Sequence, residues 1–149
     1  TADAEASDAG PAEPTWWRLL SQIELPLAAA ATVDRPRGAR ARFDGLRERA
    51  HQILEAYCDT DGIPTVAGLE TLRPILACLV RAAHAAEAIG IELLVHELGG
   101  LFDGLVEQAL RLSANDRTAL GGDRGPFGWS KRLARQLLDR VGDDELRLL

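Results

Sequence analysis

The sequence is poor in the residues that brace small folds covalently. Its 149 residues include two cysteines, and aromatic side chains make up 5%. Two thiols exclude a disulfide-dense scaffold, and a chain of this length buries roughly two thirds of its unfolded surface, so the core needs neither a metal nor a disulfide framework. β-Branched apolar residues are also scarce, with six Val and six Ile against 24 Ala and 24 Leu. Apolar and polar residues nowhere alternate for more than a few positions, which excludes an extensive sheet and favours helix throughout. Long apolar runs are missing as well. The longest apolar region, residues 74–98, is interrupted by Arg81, His84, Glu87, Glu92, His96 and Glu97, too many ionisable groups for a lipid-facing span of about 20 residues. Residues 1–15 carry no base and no apolar run, so they do not read as a signal peptide. Together with two cysteines expected to be free thiols, this points to a cytoplasmic location. Lysine occurs once against 16 arginines, a bias attributed to a GC-rich coding background rather than to selection for guanidinium chemistry.

What is present is a mosaic of charge. The formal net charge of -6 resides in the two ends of the sequence, since residues 1–13 sum to -4, residues 143–149 to -2, and the body between them is neutral. Within that body, residues 35–49 carry +4 and residues 127–141 carry +3. Neither segment contains a recognisable nucleic-acid-binding motif.

The expected organisation is an acidic, flexible tail over residues 1–14, too poor in large apolar side chains to order itself, and a single helical domain over 15–149. The domain reads as an all-α, antiparallel bundle of about five or six helices. Thr15 is placed to cap the first helix, which Pro26 would end or kink near Leu25. Residues 34–38 form a turn sequence. Phe43, Leu46, Ala50, Ile53, Leu54 and Tyr57 then fall on one helical arc, the clearest packing face in the chain. A turn at 59–64 follows, with Thr65 capping the next helix. Residues 66–98 are helical in pattern but apolar nearly all round, which places them mid-bundle. Pro74 and Gly90 are candidate interruptions, and Gly99-Gly100 is expected to stop the segment before a helix resumes at 101–112. Ser113 and Asp116 resemble a capping box for a short helix to Leu120. A glycine-rich loop at 121–128 and a last helix at 129–141 complete the series. No internal repeat is found.

Several constellations carry potential chemistry. His51, Glu55 and Cys58 share one flank of a helix, but Cys58 stands seven residues from His51, about 10 Å along the axis, too far for a Cys-His dyad. The two cysteines are expected to be free, because the turn at 59–64 leaves Cys78 some 20 Å from Cys58. Arg81, His84, Glu92 and His96 project onto one stripe if residues 66–98 form an unbroken helix, and His84, Glu92 and His96 are then the candidate metal ligands. Their spacing matches neither the di-iron bundle pattern nor the zincin motif, and no cofactor is expected. The glycine clusters fit neither the dinucleotide nor the phosphate-loop spacing.

Besides a metal- or ligand-binding helical bundle using His84, Glu92 and His96, two readings of function follow. The leading one is a non-catalytic protein-protein interaction or assembly module, an adaptor binding a protein partner or a second copy of itself, with Phe43, Phe127 and Trp129 as anchoring aromatics. The other is a nucleic-acid-associated subunit using Arg37, Arg40, Arg42, Lys131, Arg132 and Arg135 on phosphates.

Overall fold

Helix and no strand is what an Ala- and Leu-rich sequence should give, and the computed structural model of the chain, which describes residues 12–33, 39–59, 62–65, 71–115 and 131–141, is all-α. Five helices are present among the described residues. The first, α1, is a continuous rod made of an α-helical turn Thr15–Leu19, a π-helical turn Leu20–Glu24 and a second α-helical stretch Leu25–Thr32. Then come α2 (Ala39–Glu55), α3 (Leu72–Ala88), α4 (His96–Asn115) and α5 (Lys131–Leu138). No strand occurs among the described residues, where extended pairing is limited to an isolated bridge between Cys58 and Pro64. None of these helices is long and apolar enough to cross a membrane.

The centre of the bundle is α3, as its all-round apolar pattern required. It packs against α1, α4 and α5. Nine of its 17 residues are buried, among them Leu72, Ile75, Leu76, Leu79 and Val80. Each large aliphatic side chain buried in this way contributes roughly 1.5–3 kcal/mol relative to exposure. The expected arc of α2 is also core: Phe43, Ala50, Ile53, Leu54 and Tyr57 are buried, with Leu46 packed against them. From α4 come Leu98, Phe102, Leu105, Val106 and Ala109, and from the end of the described chain Leu137 and Val141.

Pro26 does not end α1. Without an N–H it cannot donate to the carbonyl four residues back, and the turn just before it widens so that the Leu25 N–H reaches the Leu20 carbonyl instead. The widened turn also explains the spacing of the buried residues Leu19, Ile23 and Leu27. Four-residue steps overshoot an α-helical turn by about 40° each; a turn holding more residues cancels that drift and keeps the three in line. The residue at the N-cap position is Pro14 rather than Thr15. Polar residues of the wide turn tie α1 to its neighbours: Gln22 accepts a hydrogen bond from Arg49 on α2 at 2.8 Å, and Glu24 accepts two from Arg81 on α3 at 2.6 and 2.9 Å.

The helical region expected over 66–98 is divided at Gly90, one of its two candidate interruptions. The helix ends in a Schellman turn, with Ile91 N–H on the Ala86 carbonyl, Gly90 N–H on the Glu87 carbonyl, and Gly90 at φ +77°. Residues 91–95 are non-helical, and α4 begins at His96, whose φ of 53° is left-handed, a conformation that costs a non-glycine residue on the order of 1 kcal/mol. Gly99-Gly100, expected to stop a helix, lies inside one. A Cβ on Gly99 would stand 3.0 Å from the Leu94 carbonyl oxygen, so this glycine permits close approach of the joint to the first turn of α4. Pro74 sits in the first turn of α3, where its missing N–H interrupts no hydrogen bond. Since α4 continues to Asn115, Ser113 lies within a helix. The expectations for residues 1–11, the cap at Thr65 with residues 66–70, and the segment 116–130 lie outside the described residues, apart from Thr65 itself, which is exposed.

This geometry fixes the sign of three substitutions. Gly100→Ala, in an open helical position, should raise stability by about 0.5–1 kcal/mol, and Gly90→Ala, at positive φ, should lower it by about 1 kcal/mol. Gly99→Ala should be destabilising through contact with Leu94. Urea denaturation of the three variants measures all of them, and a loss at Gly100 would contradict its place inside α4.

Candidate interaction cleft between α3 and α5

The burial of α3 leaves its polar side chains one exit. Arg81, His84 and Glu87, spaced by three, emerge along a single exposed strip, and α5 packs beside it. α5 is anchored by Leu137 in the core and Leu133 packed against it, and Val141 follows in the core just beyond its end. These contacts turn Arg132, Gln136 and Arg140 towards the strip. Between the two helices lies a cleft of about 520 Å³, lined by Ala77, Val80 and Leu133 together with Arg81, His84, Arg132, Gln136 and Arg140.

The cations in this cleft are held differently. Arg81 is bound in bidentate fashion by Glu24, a carboxylate only 13% exposed. Arg140 reaches across the cleft to Glu87 at 2.5 and 3.0 Å; here the guanidinium is the inner partner, 19% exposed, and the carboxylate the outer one, 51% exposed. The hydrogen bonds from Arg140 hold the Glu87 carboxyl below the usual range, against an opposing effect of desolvation. Arg132 is exposed and has no ion-pair partner among the described residues. The arrangement is a cationic rim over an aliphatic floor.

In comparisons with protein-family models, curated proteins and solved structures, no match to the chain was found. Its own residues therefore carry the functional reading.

The structure redistributes the residues singled out in the sequence. The triad His84, Glu92 and His96 is divided because the helix that would have aligned it ends at Ala88. His84 lines the α3–α5 cleft, whereas Glu92 and His96 line a separate recess of about 380 Å³ with Phe43, Arg47, Gly90, Ile91 and Val95. Among the described residues no group of three His, Cys, Asp or Glu side chains is placed to hold a metal ion. In the second recess Arg47 donates through Nη2 to the Glu92 carbonyl at 2.8 Å, and its buried Nε lacks a hydrogen-bond partner there.

Phe43 is 7% exposed and belongs to the core, so it is not available as an exposed anchor; the arc that makes it conspicuous in the sequence is the face α2 buries. Phe127 and Trp129 lie outside the described residues, as does Arg37. Arg40 and Arg42 fall on α2 and Lys131 on α5, while Arg132 and Arg135 are exposed on α5; of the latter two, Arg132 lines the cleft. The cleft thus joins one residue of the basic set, Arg132, to one of the metal set, His84. Arg81, the other polar residue of the α3 stripe, completes it with Arg140 and Glu87, whose roles the sequence did not disclose. A pairing 53 residues apart leaves no local signal.

His51, Glu55 and Cys58 do share a recess, of about 300 Å³, with Asp59, Gly62 and Leu101. The His51–Glu55 approach is long, 4.0 Å. Both cysteines are free. Burial, reinforced by the charge of Asp59, pushes the Cys58 thiol up to about 11, and burial followed by the hydrogen bond to Glu24 pushes Cys78 up to about 12. Raised values disfavour the thiolate, the nucleophilic form. Relative to an ordinary thiol at 9.0, the Cys58 thiolate should be about a hundredfold scarcer at pH 8. Alkylation of the native protein at pH 8 should be slower than after unfolding by about that factor, rising with pH towards 11. Equal rates for native and unfolded protein would show an activated thiol.

Proposed function

We propose that this domain is a non-catalytic helical interaction module, an adaptor or assembly domain that engages a protein partner through the α3–α5 cleft, in the cytoplasm. The observation that carries this reading is the cleft itself: a concave surface with an aliphatic floor and a rim of guanidinium groups, one of them unpaired among the described residues. Arginine beside apolar surface is the composition enriched at the centres of protein interfaces.

Nucleic acid is the weaker reading. Glu24 and Glu87 already hold two of the cleft's arginines and would repel a phosphate backbone, and the chain as a whole is acidic.

The reading is tested by cross-linking the domain in an extract of the cells that naturally express it and comparing the parent with Arg132→Glu. Arg132 is exposed, so this change should leave stability within about 0.5 kcal/mol while a specific cross-linked partner is lost. Recovery of every partner by the Arg132→Glu variant at parental yield would remove the cleft from the interaction.

A further inference from the structure

We infer that the occupant of the α3–α5 cleft is an acidic protein segment carrying aliphatic side chains, and that the Arg140–Glu87 ion pair is an exchangeable clasp whose carboxylate the incoming segment replaces. The inference rests on the cleft being an interaction site and adds the chemistry of its partner.

Charge complementarity decides the sign of the ligand. Arg132 lines the cleft without an ion-pair partner among the described residues, and a guanidinium presents its donors in a planar fork that fits a carboxylate. The floor decides the rest. Ala77, Val80 and Leu133 offer nothing to a phosphate backbone, but they shelter a Leu, Ile or Val side chain between two carboxylates. A flat basic ridge would suit a nucleic acid better than a recess with aliphatic lining in which two arginines are already paired with carboxylates.

The clasp follows from which member of each ion pair is outside. In the Arg81–Glu24 pair the carboxylate is the sheltered member, so an incoming group cannot readily replace it. In the Arg140–Glu87 pair the order is reversed: the guanidinium lines the cleft, and the carboxylate it holds is the half-exposed member. Glu87 therefore occupies the position that a partner's carboxylate would take. Because the carboxylate is the half-exposed member, a second carboxylate can take its place on the same guanidinium at little net cost. Glu87 then acts as an internal competitor that lowers affinity for every acidic ligand.

The experiment measures fluorescence anisotropy of labelled peptides on the full chain. One peptide alternates Glu with Leu, a second replaces Glu by Gln, and a single-stranded oligonucleotide of similar charge is the third probe. The Glu-Leu peptide should bind about tenfold tighter than the Gln-Leu peptide, and Arg132→Ala should weaken it by a similar factor. Arg135→Ala, on the same helix but outside the cleft, should change it less than about twofold. Glu87→Gln should tighten binding several-fold, because it frees Arg140, even if it lowers thermal stability slightly. A purely structural ion pair would give the opposite, a weaker or unchanged affinity, and that result overturns the clasp and with it the inference. Equal affinity for the Gln-Leu peptide or the oligonucleotide overturns the acidic segment as occupant. If no peptide binds while Arg132→Glu still loses its cross-linked partner, the inference falls and the interaction reading stands; if the cross-linked partner also persists, both fall.

Discussion

The structure depends on the burial of α3. A helix that is apolar on nearly every side can exist in water only when surrounded, and α1, α4 and α5 exist in these positions to surround it. That requirement also determines where function can be. A helix buried this completely has few places to put an ionisable residue, and Arg81, His84 and Glu87 share the narrow strip that remains. Charges confined to one strip beside a short covering helix make a cleft with polar walls and an apolar floor without any further design. The site is a by-product of how the core is closed.

The legible parts of the fold were those set by local periodicity. The arc Phe43, Ala50, Ile53, Leu54 and Tyr57, the inward set Phe102, Leu105, Val106 and Ala109, and the central position of α3 follow from 3.6-residue spacing alone. Punctuation by proline and glycine was less legible, because the same residue has opposite meanings in different settings. Gly90 ends a helix by adopting positive φ, while Gly99 and Gly100 are carried inside the next one, where Gly99 meets the backbone at Leu94. Pro26 is accommodated by a change in helix type upstream of it, a response that no local propensity scale contains.

The candidate site was the least legible part. His84 was noticed for the wrong neighbours, since its grouping with Glu92 and His96 assumed a helical phase that the Schellman turn interrupts after Ala88. Its actual neighbours come from α5, and nothing in residues 81–87 announces Arg132 or Arg140. Phe43 illustrates the reverse error. A large aromatic on a strongly amphipathic helix signals burial at least as strongly as it signals an interface, and here burial prevails.

The wide turn of α1 has a consequence for the cleft, although it lies on another helix. A π-helical turn holds one residue more than the α-helical turn it replaces, so every side chain beyond it is rotated relative to those before it. Glu24 is the last residue of that turn, and it is the carboxylate that holds Arg81. The electrostatic character of the α3–α5 cleft is thereby coupled to helical phase in a segment outside both of its helices. A chain in which α1 returned to a uniform α-helix would swing Glu24 around the rod and leave Arg81 unneutralised. The extra residue in α1 works as a setting of angle, and the charge left on Arg81 is what that angle sets.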